Sequence, residues 1–176
     1  MYRKILIPTD GSTLSEVVAA AAIDFARDAG AAVVGLATAP VFRRPLTASA
    51  IDDQSQTESD HLVKTNRTLD KHLAAIEHCA RVANVPFEGR KTMSDDPARD
   101  IVDAATEARC DLIFMGSHHR RGLARLLHAS VTAKVLELSA LPVTIHRVTQ
   151  EALVRHANQL DRYDPATAFD SSFRSH

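Results

Sequence analysis

Apolar residues along this chain follow two rhythms. Three short runs are nearly continuous: Lys4 to Pro8 (KILIP), Ala31 to Ala39 (AAVVGLATA) and Leu112 to Met115 (LIFM). Runs of that length between turn residues predict buried strands, and the second, apolar throughout, is expected to be covered on both faces. Pro86 to Thr92 (PFEGRKT) is a weaker strand, polar enough for a sheet edge, and VTIH after Pro142 is a fifth. Between them the apolar positions step by three and four, the helical spacing. Ser12 or Thr13 caps a helix to about Asp28 with Leu14, Val18, Ala21, Phe25 and Ala29 on one face, ended by Gly30. Gln54 to Ala83 carries Leu62, Leu69, Leu73, Ile76, Ala80 and Ala83 on one face. Pro97 sits in the first turn of a helix behind Ser94-Asp95-Asp96, with Ile101, Ala104, Ala105 and Ala108 inward. Ser130 caps a helix through Lys134 to Leu138, faced by Leu127, Val131, Val135 and Leu138 and stopped by Pro142.

Strand and helix therefore alternate, which predicts an α/β fold with a doubly wound parallel sheet. Gly116 breaks the fourth strand into a polar, basic loop, SHHRRG, before the fourth helix. A strand, glycine turn and helix place backbone N–H groups where phosphate binds in such sheets. Pro40 to Asp53 is irregular, either an exposed loop or a flap over a ligand. After Arg147 the pattern changes. Thr149 to Leu160 forms a helix on Leu153, Ala157 and Leu160, expected to pack on a dimer or on strand five, and residues 161–176 read as loosely held. The division is one domain at 1–148 and a C-terminal helix and tail at 149–176.

Composition narrows the class. With 176 residues the chain suits one domain, and a formal net charge of −1 gives no bulk pull toward nucleic acid or anionic lipid. No apolar stretch is long enough to span a bilayer, and the N-terminus runs straight into a strand, so no signal peptide and a cytoplasmic location are expected. Cys79 and Cys110 carry no metal or disulfide spacing and read as reduced thiols. His118, His119 and His128 are poorly placed to chelate one ion, and no metal site is predicted. Arg120, Arg121 and Arg125 make a basic patch, read either as a solvated loop or as an anion site. The phosphate-loop, dinucleotide and nucleophile-elbow motifs are all absent, so no catalytic residue is assigned.

MYRKILIPTDGS at the N-terminus and MGSHHRRG…ASVTAKV…LPVTIHR at the other end resemble the universal stress protein family, over roughly Tyr2 to Arg147. The resemblance implies an adenine nucleotide alpha hydrolase-like fold, a five-stranded sheet of order 3-2-1-4-5 with helices on both faces. Strands one and four then meet at the switch point, bringing Thr9-Asp10 beside Gly116. In nucleotide-binding members the aspartate contacts the adenine end of ATP. Carried over, the nucleotide-binding residues are Pro8, Thr9, Asp10, Met115, Gly116, His118, His119, Ala129, Ser130, Val131 and Thr132. For Asp10 the residues alone leave a second reading equally open, closing or capping the first helix. The family's phosphate loop has glycine where this chain has His119 and Ala129, so its floor is altered.

The reading is a cytoplasmic stress protein binding ATP or another adenine nucleotide as a regulatory ligand, with Mg as the only accompanying metal. The alternative is a nucleotide-independent dimeric interaction module with a protein partner of unknown identity. Weak nucleotide hydrolysis is a third option, without an identifiable base. The resemblance further implies a homodimer in which Pro142 to Arg147, an edge strand, pairs across a two-fold axis. The C-terminal helix covering that edge is the rival arrangement.

Overall fold

The computed structural model describes residues 1–41, 58–118 and 131–160 of the chain. Five strands form one sheet in the order β3-β2-β1-β4-β5: β1 Lys4–Thr9, β2 Ala32–Ala39, β3 Phe87–Met93, β4 Leu112–His118 and β5 Val143–Val148. All four pairings are parallel. Helices α1 Thr13–Ala29, α2 Glu58–Val82, α3 Pro97–Glu107 and α4 Val131–Leu138 connect successive strands, and α5 Gln150–Leu160 follows β5. The expected order and class are those observed. The predicted start of α2 at Gln54, most of the Pro40–Asp53 segment, and residues 161–176 lie outside the described residues.

Alternation along each strand splits the core in two. Ile5 and Ile7 of β1 meet Val18, Ala22 and Ile23 of α1 and Ile76 of α2. Leu6, between them, faces Ile101 and Ala105 of α3 and Val135 of α4. Right-handed crossovers dictate this division: the chain moves one way through β1, β2 and β3 and the other way through β4 and β5. On this face α1 packs over β4 and β5 as well as β1. The C-terminal helix lies beside α1. Ala152 and Leu153 pack with Val148 and Phe114, the Thr149 hydroxyl accepts from the Ala152 N–H at 3.3 Å, and His156 Nε2 lies 3.2 Å from Glu16 Oε2 of α1. Its neighbour is α1 more than strand five.

Four expectations change. The buried stripe of α1 is Val18, Ala19, Ala22, Ile23 and Ala26; of the predicted positions Val18 is buried and Leu14 and Ala29 pack on the same core, but Phe25 is half-exposed on the flank, between Tyr2 at 6.2 Å and Phe114 at 5.8 Å. On α2, Leu62 is exposed whereas Leu69, Leu73, Ile76 and Ala80 are buried. On α4 only Val135 is fully buried; Val131 is 40% and Leu138 36% exposed. That helix ends at Leu138 as expected, and the Ser139 hydroxyl beyond it accepts from the Leu141 N–H at 3.0 Å. Finally, β4 does not break at Gly116. It runs to His118, with Gly116 paired to His146.

The two edges of the sheet differ in character. Glu88 of β3 bridges Lys4 at 2.9 Å and Arg90 at 2.8 Å, and Lys91 reaches Asp70 of α2 at 2.8 Å. On β5, Val143 and Ile145 are half-buried and pack on the α3–α4 core.

Candidate functional site

A cavity of about 330 Å³ opens at the C-terminal ends of β1, β2 and β4, between α1, α3 and α4. Pro8, Thr9 and Asp10 enter from β1, Thr38 from β2, and Met115 and Gly116 from β4. Pro97 and Ile101 of α3, with Val131 and Thr132 of α4, close one wall, while Ser12, Leu14, Ser15 and Val18 close the other. This is the switch-point crevice, where open α/β sheets place their ligands. Its volume is that of a small-molecule site.

The turn after β1 is tightly bonded. Thr9 is 5% exposed; its Oγ1 accepts from the Gly11 N–H at 3.1 Å and lies 3.0 Å from Ser15 Oγ. Asp10 Oδ1 accepts from the Ser12 N–H at 3.0 Å, a turn closed by its own side chain. Ser12 is the N-cap of α1, accepting from the Ser15 N–H at 3.2 Å. Asp10 thus closes the helix entry and lines the cavity, so both readings of that residue describe the same side chain. Partial burial works against its charge, but hydrogen bonds from Ser12, hydroxyl and N–H, outweigh it and hold the carboxyl below its ordinary value.

On the far wall, Lys134 Nζ reaches Asp96 Oδ2 at 2.8 Å, tying α4 to the N-cap of α3. The Lys134 ammonium holds the Asp96 carboxyl below its usual range. Thr132 Oγ1 lies 3.5 Å from the Gly116 carbonyl oxygen. A Cβ at Gly116 would stand 2.5 Å from Val18 Cγ2. The glycine is therefore required by the close crossing of α1, not by a tight turn.

Of the residues expected at the site, Pro8, Thr9, Asp10, Met115, Gly116, Val131 and Thr132 come together around the cavity. His118 ends β4, where its backbone alone is described, and His119, Ala129 and Ser130 lie outside the described residues. Thr38, Pro97, Ile101, Leu14 and Val18 were not foreseen. Thr38 had a signal: it lies one residue from the C-terminal end of β2, the strand flanking β1. The apolar ones gave none, because at helical spacing they read as core.

The walls combine apolar and polar groups. Leu14, Val18, Ile101 and Met115 offer apolar surface to a ring, and Thr9, Asp10 and Thr38 offer polar groups at one side. No group of three His, Cys, Asp or Glu able to hold a metal occurs among the described residues. Neither cysteine is activated: burial, with Glu16 nearby, pushes the Cys79 thiol up, and burial pushes Cys110 up to about 11.

The parallel order β3-β2-β1-β4-β5 and a crevice at the switch point define a doubly wound α/β protein. The chain belongs to the universal stress protein family, whose model matches residues 1–147. It is 29% identical over 150 residues to a universal stress protein of Methanocaldococcus jannaschii, covering 82% of each chain. It is 30% identical over 150 residues to one of Mycobacterium tuberculosis, covering 83% of this chain but 46% of that one, so it spans about half that relative's length. Among solved structures, a universal stress protein in complex with cAMP superposes with a TM-score of 0.61 at 21% identity, over 84% of this chain and 98% of the other. Among the described residues no helix is long and apolar enough to cross a membrane.

Proposed function

We propose that this chain is a cytoplasmic, non-catalytic stress protein that binds an adenine nucleotide, ATP or a monophosphate, as a regulatory ligand in the switch-point cavity. The observation that carries the reading is the meeting of Asp10, Gly116 and the start of α4 around one cavity of nucleoside size. The cAMP complex of the structural relative supports it. In this reading Asp10 meets the adenine end, Pro8 and Thr9 flank the base, and the phosphates point toward Val131 and Thr132, where helix amides favour anions. Mg would enter only with a triphosphate.

A second reading is a nucleotide-independent dimeric module. Two observations favour it: His119 and Ala129 stand where the family loop has glycine, and α4 carries exposed Val131, Leu136 and Leu138. Each lost backbone contact to a charged phosphate costs about 1.5–3 kcal/mol. Losing two weakens binding on the order of a hundredfold. Calorimetry with ATP, AMP and cAMP separates the readings, using the native protein and His119→Gly with Ala129→Gly. The nucleotide reading expects weak native binding that the double change strengthens. Binding that appears only after the double change identifies an interaction module with a closed pocket. Tight native binding that the double change leaves untouched shows that the loop glycines are irrelevant here.

A further inference from the structure

The turn that carries Asp10 has a neighbour outside the cavity. Gly11 holds φ +73°, and a Cβ built there would lie 2.0 Å from His72 Nε2, 2.3 Å from Cδ2 and 2.4 Å from Cε1. The imidazole of α2 therefore occupies the space that a side chain at position 11 would need. Positive φ at Gly11 and the ring above it are separate reasons for glycine, and the second comes from a helix that contributes nothing to the cavity.

His72 Nδ1 is buried and has no hydrogen-bond partner among the described residues, an exception for a buried polar atom. On either side, Leu69, Leu73 and Ile76 are buried in the core, so α2 cannot roll to relieve the contact. The turn below is held by two short-range bonds, Gly11 N–H to Thr9 Oγ1 and Ser12 N–H to Asp10 Oδ1. Their donors, Gly11 and Ser12, are the glycine under the ring and the residue after it. From this juxtaposition we infer that His72 is a positioning residue: its ring, packed on Gly11, fixes the Thr9–Ser12 turn and through it the Asp10 carboxylate at the cavity. The part of this inference that concerns ligand affinity rests on the nucleotide reading; the part that concerns the turn does not.

Two measurements on His72→Ala test it. Alanine suits the helix and removes the ring alone. Amide exchange at Gly11 and Ser12 should quicken by about tenfold or more while α1 and the sheet keep their protection. Affinity for AMP should fall about tenfold, and the fall should vanish in an Asp10→Asn background, as for residues acting through one another. A further cycle guards against unfolding. Gly11→Ala should lower the melting temperature much more with His72 present than in the His72→Ala background, since the φ strain is common to both. Unchanged exchange, or additive effects of Gly11→Ala and His72→Ala, would overturn the inference whatever the ligand. Quickened exchange in a native protein that binds no AMP, ATP or cAMP would uphold the positioning role and reject the nucleotide reading. An affinity loss equally large in the Asp10→Asn background would also overturn the inference, because His72 would then act by another route.

Discussion

Gly116 and Asp10 show how one residue can answer to two demands. The glycine lines the cavity, yet its hydrogen is needed because Val18 of α1 crosses against it. Gly116→Ala should therefore destabilise the protein by about 1–3 kcal/mol through overpacking. Val18→Ala should relieve part of that loss, so the double variant melts higher than the sum of the single effects predicts. Additive melting shifts would place the strain elsewhere. Asp10 has a depressed carboxyl, which fixes the sign of its pH dependence. Its charged form stabilises the folded turn above the unfolded value of about 3.9. That contribution is lost as pH falls through the lower folded value. The melting-temperature gap between native protein and Asp10→Asn should thus be open at neutral pH and close below about pH 4. A gap that stays constant across that range would mean the charge contributes nothing.

Helices show best where the pattern informs and where it misleads. The strands were legible because both their faces are covered, which leaves apolar runs without alternation. Helix α3 was legible too, since Asp96 caps it, Pro97 opens it, and Ile101, Ala104, Ala105 and Ala108 all point inward. Helix α1 was misread by part of a turn. Its contact stripe is largely alanine, which lets the helix approach the sheet closely, and the large Phe25 lies to one side among aromatic rings. A reading that weights bulk picks Phe25 and misses Ala19, Ala22 and Ala26. The cavity walls were illegible for a related reason: Leu14, Val18 and Ile101 serve core and cavity at once, and spacing alone cannot divide those duties. Helix α5 yields a prediction at this level. An isolated helix of its length is marginal in water, so its order comes from Ala152 and Leu153 against the α1 side of the core and from His156 beside Glu16. Ending the chain after Val148 should expose Val148 and Phe114 and lower the melting temperature, by about 2–4 °C for each kcal/mol lost. An unaltered melting curve would make α5 a free appendage.

Assembly depends on the two margins of the sheet. Among the described residues no strand lies beyond β5, whose Val143 and Ile145 are half-buried, and α5 sits against α1 instead of on that margin. We expect a homodimer through β5, with the outward Val131, Leu136 and Leu138 of α4 contributing nearby. Light scattering at micromolar concentration should give twice the chain mass, and Ile145→Lys should give a monomer. A monomeric native protein would reject this assembly and, with it, the dimeric-module reading. The opposite margin behaves differently. Strand β3 is studded with Glu88, Arg90 and Lys91, each engaged by a neighbour in the same chain. Another strand arriving there would have to strip those ion pairs of water and of each other. Among the described residues one end of the sheet is thus guarded by charge while the other is not. In the dimer expected here, two such sheets joined at their β5 margins would present only the charged β3 margins, and strand addition would stop at the first step.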